Sequence, residues 1–116
     1  MNPLDNLEAI YPLSTMQQGM LFHTLYTPES GVYFEQLCFT LHGDLDVAAF
    51  ERAWQRLIER HPALRTVFAW EKRDKPLQVV RRRASLPWTT DDWRALSPDA
   101  QRSQLADWLK ADQARG

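Results

Sequence analysis

The sequence predicts an α+β sandwich, with helices packed on a mostly antiparallel sheet, and three observations carry that prediction. Over 46–60 the apolar residues recur at spacings of three and four, the period of a helix. From Arg65 they alternate instead, with Thr66, Phe68 and Trp70 on one face and Val67 and Ala69 on the other. A polar turn, Lys72 to Pro76, then separates two alternating runs, so 65–72 and 76–82 read as a hairpin. The change of period falls at His61-Pro62. Proline lacks an N–H and pushes the preceding residue towards an extended conformation, which stops the helix near Arg60.

The elements follow in chain order. Residues 1–12 read as a short lead-in with loose helical spacing at Leu4, Leu7 and Ile10, expected to fray. Ser14 is an N-cap, and Gln17 three residues on completes a capping box. The helix expected over 15–26 carries Met16, Met20, Leu21, Phe22, Leu25 and Tyr26. That set wraps more than half the circumference, so the helix is expected to be buried on most sides. Pro28 and Gly31 end it. Alternation over 33–42 predicts a strand, with Leu37, Phe39 and Leu41 sharing a face opposite Phe34, Gln36, Cys38 and Thr40.

Asp46 caps the helix over 46–60, whose buried stripe is Val47, Phe50, Trp54, Leu57 and Ile58. After the hairpin, Ser97-Pro98 combines a cap with proline at the first helical position and starts a helix expected over 98–113.

Composition excludes several classes. The 116 residues suffice for one small domain, and 44% hydrophobic with 25% charged residues fits an ordered chain. A net charge of −1 gives no reason to expect nucleic acid or an anionic membrane as partner. No apolar run approaches the roughly 18 residues that a membrane span needs. The N-terminus has no signal-peptide pattern, and one cysteine allows no internal disulfide, so a cytoplasmic location is expected. Cys38 reads as a small packing residue.

The catalytic inventory is thin. His23, His42 and His61 have no metal-ligand spacing with one another, and no metal site is expected. His23 reads as a core histidine on its helix. No phosphate-binding glycine loop or nucleophile elbow occurs. Arg81-Arg82-Arg83 reads as a solvated strand end, and Asp91-Asp92 as a pair that caps or faces water. Arg65 stands out. A guanidinium at the start of a buried strand needs a carboxylate or several carbonyls, and its own segment supplies no evident acid. Either it finds such partners or it reaches solvent from an edge strand.

Two dense motifs carry a resemblance. The run from Tyr11 to His23, YPLSTMQQGMLFH, looks like the opening motif of the condensation domains of nonribosomal peptide synthetases. The run from Arg60 to Phe68, RHPALRTVF, resembles their second motif, usually written RHExLRTxF, with Pro62 where Glu is common. Together they cover about residues 9 to 70. The resemblance implies a partial chloramphenicol acetyltransferase-like lobe, in which residues 13–116 form the opening part of the domain's N-terminal lobe. Such domains join a donor thioester to an acceptor amine, and each substrate rides on a 4'-phosphopantetheine arm of a carrier protein. No cofactor is then expected on this chain itself.

The family's active-site motif, HHxxxDG, is absent from this sequence, so no catalytic residue is assigned and the chain alone is expected to be inactive. Ser14, Gln17, Met20 and His23 are the carried-over residues of the first motif, and Arg60, His61 and Arg65 those of the second. The resemblance implies that Arg65 holds the Asp of HHxxxDG by a salt bridge, as a residue supporting the catalytic loop; the other reading is that it caps carbonyls. With that Asp missing, Arg65 is expected to matter little to this chain's stability. Expected partners are carrier proteins, the remainder of the condensation domain, an adjacent adenylation domain and an upstream synthetase docking near residues 1–12. Exposed strand edges also predict self-association. The alternative function is a non-catalytic carrier-docking module.

Overall fold

The computed structural model describes residues 2–116. The chain divides into two compact units, Met1–Gln18 with Phe39–Trp88, and Gly19–Cys38 with Thr89–Gly116.

The first unit holds a three-stranded antiparallel sheet of β1 (Leu7–Pro12), β2 (Thr66–Ala69) and β3 (Leu77–Arg81), in the order β1-β3-β2. The hairpin expected from alternation is present as β2 and β3, with Thr66 opposite Val80 and Ala69 opposite Leu77. Strand β1 corrects the expectation of a fraying lead-in. One 3-10 turn, Pro3–Asn6, is followed directly by a strand on the far edge of β3. Its ladder joins residues about seventy positions apart, which no local window of sequence can register. Pro12 ends β1, where an edge strand tolerates a missing N–H. The register slips between Leu7 and Ala9: two residues advance on β1 while β3 advances one, from Arg81 to Val80. Glu8 is therefore the extra residue of a β-bulge.

Helix α2 (Val47–Arg60) has the Asp46 cap that the sequence predicts, with the Asp46 carboxylate accepting from the Ala49 N–H at 3.0 Å. The expected buried stripe is corrected: Ile58 is buried and Phe50 half-buried, meeting Trp54 and Trp88 edge-on, while Val47, Trp54 and Leu57 are exposed. Ile58, Val80 and Leu13 are the buried apolar side chains among the described residues. Past β3 the chain is held by two side-chain amides that mimic a neighbouring strand. Asn6 donates to the Arg83 carbonyl and accepts from the Arg83 N–H. Gln55 donates to the Ala84 carbonyl and accepts from the Leu86 N–H.

The capping box at Ser14 forms in full. Its hydroxyl accepts from the Gln17 N–H at 3.1 Å, and the Gln17 amide oxygen accepts from the Ser14 N–H at 2.8 Å. Helix α1 (Thr15–Tyr26) starts there and continues into the second unit. The expected burial is corrected: none of its residues is buried, and Met16 and Tyr26 are 77% and 76% exposed. A helix that is apolar all round needs partners on several sides, and the described residues do not supply them. His23 is exposed as well, not a core histidine.

The second unit also holds α3 (Pro98–Arg115), capped by Ser97 as expected and extending two residues past the expected end at 113. The strand expected over 33–42 is absent. Tyr33 has φ 63°, and no neighbouring strand offers this stretch a ladder. Alternation sets which way side chains point, whereas a strand also needs paired backbone groups. Gln36 instead donates to the Leu109 carbonyl and the Asp112 carboxylate on α3, at 3.0 and 3.1 Å. Further along, Leu37 is 80% exposed, and Cys38 is exposed, not packed.

Candidate functional site at Arg65

Local sequence places Arg65 with little freedom. Helix α2 stops at His61, which is extended at φ −111° and ψ 106°, as the following proline requires. Pro62–Arg65 makes one 3-10 turn, closed by the Leu64 N–H donating to the His61 carbonyl, and Thr66 then opens β2. The turn folds the chain back, so that Arg65 points at the end of the helix it has just left.

The Arg65 side chain is 7% exposed. Its Nε donates to the Ile58 carbonyl at 3.0 Å, and Nη2 lies 3.4 Å from the Glu59 carbonyl. Both carbonyls belong to the last turn of α2, which has no intrahelical partner for them and favours a cation. Nη1 donates to the Arg81 carbonyl at the end of β3 and to the Glu8 carboxylate on the bulge of β1. One guanidinium thus joins α2, β3 and β1. The desolvation of a buried charge is offset by three carbonyls and a carboxylate.

This corrects the expectation that Arg65 lacks an acidic partner within the chain. Glu8 lies 57 residues upstream, out of reach of any reading confined to Glu59–Trp70. A signal was present, since Glu8 interrupts the apolar run Leu7, Ala9, Ile10. Arg60 and His61 flank the same turn, with both side chains exposed, and neither bonds to the guanidinium.

The first-motif residues divide. Gln17 and Gln78 exchange amide hydrogen bonds at 3.1 and 3.3 Å, and Gln78 also donates to the Pro12 carbonyl, so the N-terminus of α1 is tied to β3. Ser14 serves as the cap. Met20 and His23 lie further along α1, where the His23 ring meets Phe22 edge-on at 5.5 Å.

The Arg65 cluster spends its N–H groups on three backbone carbonyls and one carboxylate. It is built to hold backbone in place. Among the described residues, no group of three His, Cys, Asp or Glu could hold a metal ion, and no helix is long and apolar enough to cross a membrane.

The family model described as Condensation domain matches residues 7–116. The chain is 48% identical over 110 residues to one of the linear gramicidin synthase proteins of Brevibacillus parabrevis, covering 95% of this chain and 1% of that protein. It is 41% identical over 113 residues to a mycosubtilin synthase protein of Bacillus subtilis, covering 97% and 4%. Against bacitracin synthase 1 of Bacillus licheniformis the identity is 34% over 110 residues, covering 95% and 2%. The chain belongs to the condensation-domain family. It spans between 1% and 4% of the lengths of these relatives. The match starts at Leu7 and so takes in β1 and Glu8, beyond the stretch that the two motifs cover. The α+β fold agrees with a partial lobe of such a domain.

Proposed function

We propose that this chain is the opening part of the N-terminal lobe of a condensation domain in a nonribosomal peptide synthetase. The complete domain would join a donor acyl or peptidyl thioester to an acceptor aminoacyl thioester, each on a carrier protein. The acceptor amine attacks the donor carbonyl, a C–N bond forms, the C–S bond breaks, and the donor arm's thiol leaves. The phosphopantetheine arms are parts of the carriers and bring the substrates. This chain contributes framework: Arg65 fixes the end of α2 against β1 and β3, and its role in the complete domain is to support the loop that carries the catalytic histidine. The single observation behind the reading is the family match over 7–116. The buried Arg65 cluster within the second motif supports it.

Remaining partners follow from the same reading: the rest of the condensation domain, an adjacent adenylation domain, and an upstream synthetase. The exposed apolar side chains of α1 and of 37–41 are surface that the rest of the domain would cover, and without it they favour self-association.

The test is a mass-spectrometric assay of amide formation between loaded donor and acceptor carriers. A complete condensation domain carrying this segment should form the amide. No transfer by that domain, together with stable retention of a carrier by the 116-residue chain, would favour the docking-module reading instead.

A further inference from the structure

We propose that Glu8 is a positioning residue for the condensation reaction, aimed by the β1 bulge to lock the orientation of Arg65. Three observations meet at this residue. Glu8 is the extra residue where β1 slips against β3. Bulges bend a strand locally and re-aim a side chain, and they concentrate beside active sites. Its carboxylate is the acid on a guanidinium that is 7% exposed.

The donor count gives Glu8 a specific task. A guanidinium has five N–H donors in a rigid planar fork. Nε is held by Ile58, Nη2 by a long contact to Glu59, and Nη1 by Arg81 and Glu8. The carbonyls of Ile58 and Glu59 sit on the same helix end and fix the plane from one side. Glu8 and the Arg81 carbonyl hold Nη1 from the sheet side, and Glu8 is the charged contact of the two, so it resists tilt of the fork about the helix end most strongly. Among the described residues one Nη2 N–H meets no acceptor beyond these contacts. Holding that N–H still is what positions whatever it binds.

This inference rests on the condensation reading, and the experiment separates the two. In the complete domain, Glu8→Gln keeps length and shape while removing the charge. Single-turnover amide formation should slow on the order of tenfold or more, since small misplacements at a reacting site carry large rate penalties. The KM for each carrier should stay near wild type, and although loss of the charged partner lowers the thermal midpoint, the slower rate should persist at temperatures well below it. The Arg65 Nη–H signals in a ¹⁵N spectrum should broaden, while Nε–H, held by Ile58, persists. Glu8→Asp, which restores the charge on a shorter arm, should recover part of the rate.

An unchanged rate in a folded Glu8→Gln domain overturns the proposal, and so does a rate loss that vanishes at temperatures well below the variant's thermal midpoint. If Arg65→Lys slows the reaction while Glu8→Gln does not, Glu8 loses its role and the condensation reading stands. If the unsubstituted domain forms no amide, the condensation reading itself fails.

Discussion

At Arg65 a side chain that reads from sequence as a stray charge proves to be the tie between a helix end and two strands. Its three carbonyl acceptors would be left without donors if it were removed, and Glu8 would lose its partner. Arg65→Ala should therefore cost this chain about 2 kcal/mol or more, measured as a shift in the urea midpoint. An Arg65 without partners would instead give the near-neutral effect of a surface substitution. Asp92 gives a second test at this scale. The Arg94 guanidinium grips its carboxylate through Nε and Nη2, and the Arg94 backbone N–H adds to this, so the carboxyl titrates below the usual carboxylate range. A depressed acid contributes above its unfolded value and loses that contribution as pH falls through the folded one. Following Asp92 by NMR, Arg94→Gln should move its titration back up towards the ordinary value. The need for a partner at Arg65 was legible in the sequence, because a guanidinium on a buried strand demands one. Its identity was not, because Glu8 reaches it through a bulge, and bulges leave no period in the residues around them.

At the scale of elements, the termini were the legible part. Ser14, Asp46 and Ser97 all cap where side-chain chemistry says they should, since a cap is settled within four residues. Ser97→Ala should destabilise α3 by about 1 kcal/mol, seen as lost helical signal on heating. What sequence could not settle was anything that depends on a distant partner. The 33–42 alternation is real, but nothing in the described residues pairs with it. Strand β1 is the converse, with weak local pattern and a complete ladder to β3. The same logic explains α1, whose apolar circumference indicated burial while the described residues leave it exposed.

At the scale of the whole molecule, Leu13, Ile58 and Val80, all in the first unit, are the buried apolar side chains among the described residues, while Phe22, Tyr26, Leu37, Phe39 and Leu41 are exposed. Exposed apolar side chains of this size favour association. Light scattering should show the chain growing in mass with concentration, and Phe39→Lys should weaken that growth. A monomer at every concentration would mean that these side chains find cover within one copy. We propose that this segment frames a condensation site and does not itself catalyse. The most direct measurement is amide formation between loaded carriers by the 116-residue chain alone. The expected result is none above background, because no adjacent His pair is present to act as base or to place the amine. Turnover by the chain alone that disappears with His23→Ala or His61→Ala would contradict it.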